Sequence, residues 1–229
     1  MSQKFEVQSG KELILYIVRH GKTFFNTTDQ TQGFSDSPLT EDGIEQALKL
    51  GKGMMDIEFI KAFSSDLGRQ RATAKYILSQ NKKKIPALVE LYGLREWCFG
   101  GFEGRSNKDM WQPIYEKYNI DSVEREKNYR QLVALLGYEK VADELFERDI
   151  LKKAEKYDVI VNRLNEAMAD IISESYKECE KAHLKKAAVL IVSSGLAITT
   201  MLHIFAKEQY KEELISNCSV SILKYKDAK

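Results

Sequence analysis

The chain has 229 residues, of which 43% are hydrophobic, enough to bury the core of one domain or of one domain with an inserted cap. Lys and Arg number 35 against 34 Asp and Glu, a net charge of +1 that argues against nucleic acid as the main partner. No apolar run is long enough for a membrane span, and residues 1–10 lack the apolar stretch of a signal peptide. The three cysteines are odd in number and lack metal-ligand spacing, so we expect reduced thiols, no metal and a cytoplasmic location.

The first predicted strand, residues 13–18, is a short apolar run followed directly by Arg19-His20-Gly21. Such a run indicates a strand that is buried on both faces of a sheet. Ligands bind at the carboxyl edge of open α/β sheets, where Arg19 and His20 would lie. Arginine beside histidine favours a dianion such as a phosphoryl group, with His20 as nucleophile or general acid–base. The alternative is a strand-end turn with two solvated polar residues.

Strands and helices alternate along the rest of the chain. After a loop over 21–38, Thr40 is the predicted N-cap of a helix that runs to about Met55. We further predict strands at 59–63, 86–91, 187–192 and 220–225, and helices at 69–78, 105–153, 157–179 and 196–205. This alternation predicts an α/β fold with a mainly parallel sheet covered on both faces.

Four blocks in the N-terminal half, residues 19–26, 32–43, 64–74 and 94–104, resemble the histidine phosphatase superfamily, the phosphoglycerate-mutase-like proteins. The resemblance implies a three-layer α/β/α sandwich formed by one domain, 1–229, with residues 105–153 as a helical cap insert. It also implies a small-molecule phosphate ester as substrate, with no cofactor and no metal. A homodimer is one possible assembly, and nothing in the sequence selects it.

The resemblance implies a set of catalytic roles. His20 attacks phosphorus and becomes a phosphohistidine, while Arg19 and Arg69 bind the phosphoryl oxygens with paired N–H donors. Glu96 protonates the leaving oxygen and then activates water, which requires a raised pKa beside apolar neighbours. Arg71 does not align with the family's phosphate-binding arginine. Glu103 aligns with the turn that follows the acid in the family, so we expect it to have a structural role.

Four further residues are assigned to substrate binding. Gly21 lets the backbone turn sharply and approach the phosphate. Thr23 and Asn26 are placed to bind phosphate or to orient His20, although hydrogen bonding within the loop is nearly as good an interpretation. Gly195 follows the last predicted internal strand and belongs to the same set.

The fifth block departs from the family. After the strand at 187–192 the family has histidine and then glycine, whereas this chain has Ser194 and Gly195. The other histidines, His183 and His203, are out of register for that place. Serine keeps one hydrogen-bond donor but loses the charge, and losing a positioned donor typically lowers the rate about 10²–10³-fold.

Three functional interpretations therefore remain open. The first is a phosphatase whose activity is reduced by Ser194, and the second is a non-catalytic protein that binds phospho-ligands. Ser194 as an introduced substitution in a normal enzyme is a further explanation of the missing histidine.

The third interpretation, a mutase, is less favoured. The glycolytic mutases carry arginine directly after the acid, where this chain has Trp97, and they have an Arg-Arg pair in the insert. Here the arginines of that stretch are dispersed, at Arg105, Arg125, Arg130 and Arg148.

Overall fold

A five-stranded sheet organises the chain in the computed structural model, which describes residues 10–121, 125–210 and 215–226. The strands are β1 (Glu12–Arg19), β2 (Phe59–Ser64), β3 (Leu88–Glu90), β4 (Lys186–Ser193) and β5 (Val220–Lys226). They lie in the order β3-β2-β4-β1-β5. All neighbouring pairs are parallel except β1 and β5, which are antiparallel. The predicted α/β fold with a mainly parallel sheet is confirmed.

Seven α-helices connect and cover the strands in the described ranges. They are α1 (Phe24–Thr27), α2 (Glu41–Gly53), α3 (Gly68–Ser79), α4 (Asn107–Lys117), α5 (Arg125–Arg148), α6 (Tyr157–Lys181) and α7 (Gly195–Phe205). Thr40 caps α2 as predicted, since its side chain accepts a hydrogen bond from the Gly43 N–H at 3.1 Å. In α5 the backbone leaves helical geometry at Gly137, where φ is 75°. That element is therefore two helical stretches.

The two faces of the sheet pack against different helices. On one face, Val18 and Val192 cluster with Ala47 of α2 and Ile77 of α3. On the other face, Leu15 and Ile17 belong to a larger cluster that contains residues of α4, α5, α6 and α7. Alternate residues of β1 thus serve the two clusters, as expected for a strand buried on both faces. The result is helix, sheet and helix in three layers.

One predicted loop contains a helix. Residues 21–38 were expected to be irregular, yet Phe24–Thr27 form the single turn α1. Thr23 and Asn26 build a capping box, in which each side chain accepts a hydrogen bond from the other residue's backbone N–H at 3.1 Å. This local pairing closes a helical turn that is too short to leave a hydrophobic period in the sequence.

The helices α4 and α5 lie in the stretch predicted to be a cap. Their buried side chains, among them Met110 and Leu132, belong to the same hydrophobic cluster as Leu15 and Ile17 of the sheet. The division into one domain with a cap insert stays a prediction. No helix of the described ranges has both the length and the apolar composition needed to cross a membrane.

Candidate active site

The ends of β1 and β4 bring the predicted site residues together. Arg19 is paired with Ser193 across the parallel ladder, and the His20 N–H continues the ladder to the Ser193 carbonyl at 3.0 Å. His20 and Ser194 are therefore the first residues beyond two adjacent strands, at the carboxyl edge of the sheet. A cavity of about 380 Å³ opens there, lined by Arg19, His20, Asn26, Glu96 and Gly195 among others.

His20 is a buried neutral imidazole, with 3% of its surface exposed. Its Nδ1 lies 2.8 Å from the Gly21 carbonyl oxygen. A carbonyl only accepts hydrogen bonds, so Nδ1 carries the proton and Nε2 keeps its lone pair. Burial lowers the pKa of His20 well below its usual value, and the charges of Arg69 and Arg19 lower it further. The ring is thus held in the form that a nucleophile requires.

Gly21 permits a close contact between two of the sequence blocks. A Cβ at Gly21 would lie 2.5 Å from the Gly43 carbonyl oxygen, so only glycine fits there without a shift of the backbone. The Gly21 N–H donates to the Thr73 hydroxyl at 3.0 Å, and that hydroxyl donates to the Arg69 carbonyl at 2.7 Å. The turn after His20 is in this way tied to both α2 and α3.

Arg19 lines the cavity beside the start of α7. Its Nη1 donates to the Ile215 carbonyl at 2.6 Å, a residue in the connection between α7 and β5. A Cβ at Gly195 would lie 3.6 Å from the Arg19 Nε, an ordinary van der Waals distance, so Gly195 lies against this guanidinium. The arrangement presents the cation of Arg19 to the same part of the cavity as His20 and Gly195.

Arg69 is almost fully buried and does not itself line the cavity. Its Nη1 donates to the Asp36 carboxylate at 3.0 Å and to the Ser35 carbonyl at 2.9 Å, and its Nη2 to the Gly33 carbonyl at 2.8 Å. Its Nε is buried and has no hydrogen-bond partner among the described residues. One edge of the guanidinium is therefore held by the protein, and the edge that contains Nε keeps a spare donor.

Glu103 organises the loop that holds Arg69. Its carboxylate accepts hydrogen bonds from the N–H groups of Gly33 at 3.0 Å, Phe34 at 2.8 Å and Ser35 at 2.9 Å. It also accepts one from the Phe99 N–H at 2.9 Å. The structural role that the sequence predicted for Glu103 is confirmed, because its oxygens are occupied by the backbone of this loop.

Glu96 lies at the N-terminus of α7 and lines the cavity. Its carboxylate accepts from the Leu196 N–H at 2.9 Å and the Ala197 N–H at 2.8 Å, and from its neighbour Trp97 at 2.9 Å. Burial raises the pKa of Glu96, and these three N–H donors oppose that rise. The carboxyl group is therefore oriented by a helix terminus, yet holds a proton more readily than an exposed glutamate does.

Arg163 on α6 supports Glu96 from behind, and no motif pointed to it. Its guanidinium donates to the carbonyls of Gly93 at 2.9 Å, Arg95 at 2.8 Å and Glu96 at 2.8 Å. Its charge is balanced by Glu155, with Nε to Oε1 at 2.8 Å. The side chain is buried and binds the main chain of the segment that carries Glu96.

Thr23 and Asn26 differ in their placement. Thr23 is fully buried, does not line the cavity, and donates to the Gln32 side chain at 2.7 Å. Its hydroxyl takes part in the capping box and donates to Gln32, which is the hydrogen bonding within the loop that the sequence left open as the alternative; substrate binding by Thr23 stays a prediction. Asn26 does line the cavity, and its Oδ1 accepts from Asn217 at 3.3 Å. Asn217, whose Nδ2 also donates to the His20 carbonyl at 2.9 Å, was not singled out in the sequence.

Ser194 lies directly behind the cavity wall. It is 1% exposed, does not line the cavity, and its Oγ accepts a hydrogen bond from the Gln70 amide nitrogen at 2.5 Å. It occupies the N-cap position of α7 without forming a side-chain capping bond. The next residue, Gly195, does line the cavity. Of the two residues predicted there, one thus faces the cavity and the other faces Gln70.

The far wall of the cavity is aromatic and comes largely from α4 and α5. Trp111 packs face to face on Tyr115, with ring centroids 6.2 Å apart, and edge to face on Tyr129 at 5.4 Å. The Tyr129 hydroxyl is buried and has no hydrogen-bond partner among the described residues. Apart from Arg19, His20 and Glu96, the charged residues in the cavity lining are Arg130 and Asp29, which have opposite signs. This wall suits an organic group with little net charge.

Comparison with known sequences gives a consistent result. A family model for the histidine phosphatase superfamily (branch 1) matches residues 15–229. A broad-specificity phosphatase of Saccharomyces cerevisiae is 30% identical over 220 residues, which is 94% of this chain and 81% of the yeast protein. A protein of Citrobacter koseri named probable phosphoglycerate mutase GpmB is 29% identical over 222 residues, 94% of this chain and 86% of that protein.

Comparison with solved structures supports the same fold. The crystal structure of a phosphoglycerate mutase from Bacillus anthracis superposes with a TM-score of 0.82 at 32% sequence identity. The match covers 95% of this chain and 90% of the Bacillus chain. The mixed, mostly parallel five-stranded sheet described above is thus shared with phosphoglycerate-mutase-like structures.

Proposed function

Because the chain belongs to the histidine phosphatase superfamily, we propose that it is a phosphomonoester hydrolase that acts through a phosphohistidine on His20. The single observation that carries this proposal is the state of His20. Its ring is buried at the cavity, its Nδ1 proton is engaged by the Gly21 carbonyl, and its Nε2 lone pair is available. An imidazole in this state is prepared to attack phosphorus.

In the first step, the His20 Nε2 attacks the phosphorus of the ester and the bond to the leaving oxygen breaks. Glu96, held in a cavity that raises its pKa, donates its proton to that oxygen, so a neutral alcohol departs. Arg19 in the cavity lining and the buried charge of Arg69, which also acts on His20, offset the charge on the transferred group. The products of this step are the alcohol and phosphohistidine.

In the second step, the Glu96 carboxylate accepts a proton from a water molecule as the water attacks phosphorus. The nitrogen–phosphorus bond of His20 breaks, inorganic phosphate leaves, and Glu96 is again protonated. The residue thus acts as acid and then as base at one position, which is consistent with its place in the cavity between Arg19 and the start of α7.

The composition of the cavity favours hydrolysis over a mutase reaction. A mutase must hold a substrate with a second acidic group while phosphohistidine is shielded from water. Among the described lining residues, Arg130 is the only arginine or lysine besides Arg19, and the lining also contains the carboxylate of Asp29. The aromatic wall of Trp111, Tyr115 and Tyr129 supports a phosphate ester with an uncharged organic group. We propose that the helices of residues 105–153 act as the cap that provides this wall.

We propose that this protein hydrolyses phosphate esters more slowly than relatives that have the second histidine, because Ser194 brings no charge to the phosphoryl group.

The test is hydrolysis of 1-naphthyl phosphate between pH 5 and 8 by the wild type, His20→Asn and the surface control His183→Asn. We expect turnover by the wild type and the control, and none above background for His20→Asn. Acid-labile, base-stable labelling of the wild type alone by a phosphate ester carrying ³²P would identify phosphohistidine.

Two outcomes would contradict the proposal. Turnover that survives His20→Asn would place the chemistry elsewhere in the protein. Binding of inorganic phosphate without any turnover would favour the non-catalytic phospho-ligand binder instead.

A further inference from the structure

Asn217 lies in the segment before β5 and lines the cavity, and the chemistry above leaves it unused. Its Nδ2 donates to the His20 carbonyl at 2.9 Å and to the Asn26 Oδ1 at 3.3 Å. The two N–H groups of one amide thus connect the main chain of the nucleophile with a side chain of the following loop. Both of those residues also line the cavity.

The direction of each hydrogen bond in this network follows from the backbone groups in it. An amide side chain offers an acceptor oxygen and a donor nitrogen, and its partners decide which atom lies where. The Thr23 N–H can only donate, so the atom of Asn26 that it meets at 3.1 Å is the oxygen Oδ1. The His20 carbonyl can only accept, so the atom of Asn217 beside it is the nitrogen Nδ2. Both amides therefore have one permitted orientation.

This orientation leaves the nitrogen of Asn26 for a ligand. Its Oδ1 already accepts from Thr23 and Asn217, whereas its Nδ2 donates to no residue that the structure describes. Asn26 lines the same cavity as Arg19 and His20. An amide that is held through its oxygen presents its two N–H groups on the opposite side. Fixed neutral donors of this kind stabilise the charge that develops on a transferred oxygen-rich group.

The turn that carries Asn217 is tied to the end of β1. The Cys218 N–H donates to the Arg19 carbonyl at 3.0 Å, and the Arg19 N–H donates to the Ser219 carbonyl at 3.3 Å. Cys218 has a φ of 54°, in the left-handed region that residues other than glycine adopt at a cost in free energy. The position of Asn217 is therefore fixed relative to the residue that precedes the nucleophile.

We propose that Asn217 is a positioning residue, which holds the Asn26 amide with its N–H groups toward the phosphoryl group on His20. This inference rests on the function proposed above and adds a residue to its site. Asn26 is the donor that touches the substrate. Asn217 acts through Asn26, and its bond to the His20 carbonyl is the anchor that keeps it in place.

The experiment is a double-mutant cycle on 1-naphthyl phosphate with Asn26→Ala, Asn217→Ala and the variant with both changes. Asn165→Ala, at an exposed asparagine of α6, is the matched control. We expect kcat to fall about 10²–10³-fold in Asn26→Ala, as it does when a transition-state donor is removed. It should fall about 10- to 100-fold in Asn217→Ala, as it does when an orienting partner is removed. The control should match the wild type.

The double variant decides whether Asn217 acts through Asn26. Residues that work as one unit lose their effect together, so the double variant should have the same kcat as Asn26→Ala. Losses that multiply would overturn the proposal, since Asn217 would then act by another route. An unchanged kcat in Asn217→Ala would overturn it as well. Melting temperatures of all variants identify the conditions under which each is fully folded.

Asn217→Asp separates positioning from a merely structural role, because it keeps the size of the side chain and replaces the donor with oxygen. An ionised carboxylate would face two acceptors, the His20 carbonyl and the Asn26 Oδ1. We expect Asn217→Asp to be slower than Asn217→Ala at pH 8, and this difference to narrow toward pH 5 as the carboxyl group gains a proton. A wild-type rate and pH profile in Asn217→Asp would overturn the proposal.

A failure of this inference can be told apart from a failure of the proposed function. If the wild type shows no turnover that depends on His20, the proposed function fails, and calorimetry with inorganic phosphate then tests the positioning alone. Weaker phosphate binding in Asn26→Ala and Asn217→Ala, with no further loss in the double variant, supports it. Affinities equal to that of Asn165→Ala, or no phosphate binding by the wild type, overturn it.

Discussion

The buried histidine makes the stability of the protein depend on pH. Burial and two arginines lower the pKa of His20 in the folded state, whereas the unfolded chain protonates near the ordinary value of 6.5. The stabilising contribution of neutral His20 is therefore complete above pH 6.5, and it is lost as the pH falls from there toward the folded-state pKa. Glu96 acts with the opposite sign, because a raised pKa favours the fold at low pH and disfavours it as the pH rises.

We predict that His20→Asn flattens the acid side of the stability curve. Asparagine keeps a donor for the Gly21 carbonyl but has no group to protonate, and Glu96 is the same in both proteins. The free energy of unfolding from urea titrations at pH 8 and pH 5 should fall more in the wild type than in the variant. His183→Asn, at an exposed turn, should follow the wild type. Parallel curves for the wild type and His20→Asn would contradict this account.

The raised pKa of Glu96 predicts an alkaline limb in the activity profile. In the proposed mechanism Glu96 must be protonated for the first step, so kcat should fall as the pH rises through the Glu96 pKa. Glu96→Gln should lower kcat by about 10²- to 10⁴-fold and remove that limb. Rates on 1-naphthyl phosphate from pH 4.5 to 8.5 test this expectation, with Glu116→Gln on the surface of α4 as control. Retention of the limb in Glu96→Gln would assign it to another group.

At the scale of elements, α6 supports the active site through one side chain. Arg163 donates to three main-chain carbonyls, those of Gly93, Arg95 and Glu96, and its charge is balanced by Glu155. We predict that Arg163→Met lowers kcat about 10- to 100-fold with little change in KM, because Glu96 loses its support while the phosphate contacts remain. It should also lower the free energy of unfolding by about 3–5 kcal/mol, since the Glu155 charge is left buried without its partner.

Arg163→Met is to be compared with Lys177→Met, an exposed residue on the same helix. We expect Arg163→Met to lower the free energy of unfolding and Lys177→Met to leave it unchanged. A kcat that is unchanged under conditions where the variant is fully folded would show that the main chain at Glu96 needs no such support.

Residues in local sequence patterns could be predicted, whereas residues whose contacts join different elements could not. Thr40, His20 and Glu103 lie within local patterns, so their roles as helix cap, strand-end group and turn carboxylate could be predicted. Gln70 stood inside a matched block, but its hydrogen bond to Ser194 could not be predicted, because the two residues lie far apart in the chain. Arg163 and Asn217 carry no motif, because they act on carbonyl groups that only the folded arrangement of α6 and of the 215–219 segment brings near.

At the scale of the whole molecule, binding of an anion couples distant parts of the chain. Arg19 ends β1 and donates to the Ile215 carbonyl, so a phosphate bound at Arg19, as proposed, would also stabilise residues 215–219 before β5. We predict that orthovanadate at 100 times its dissociation constant raises the free energy of unfolding by about 2.7 kcal/mol. Arg19→Gln should lose most of this effect, and Arg105→Gln, at an exposed position, should keep it. Equal stabilisation of all three proteins would place the anion elsewhere.

The position of β1 in the sheet has a consequence for synthesis. It is translated long before both of its neighbours, β4 and β5, since Leu15 pairs with Val189 and with Leu223. During translation this apolar segment must remain without its sheet partners until those two strands have been made. Such long-range pairing slows folding and leaves nascent chains open to aggregation, so we expect this protein to depend on a chaperone until β4 and β5 have emerged.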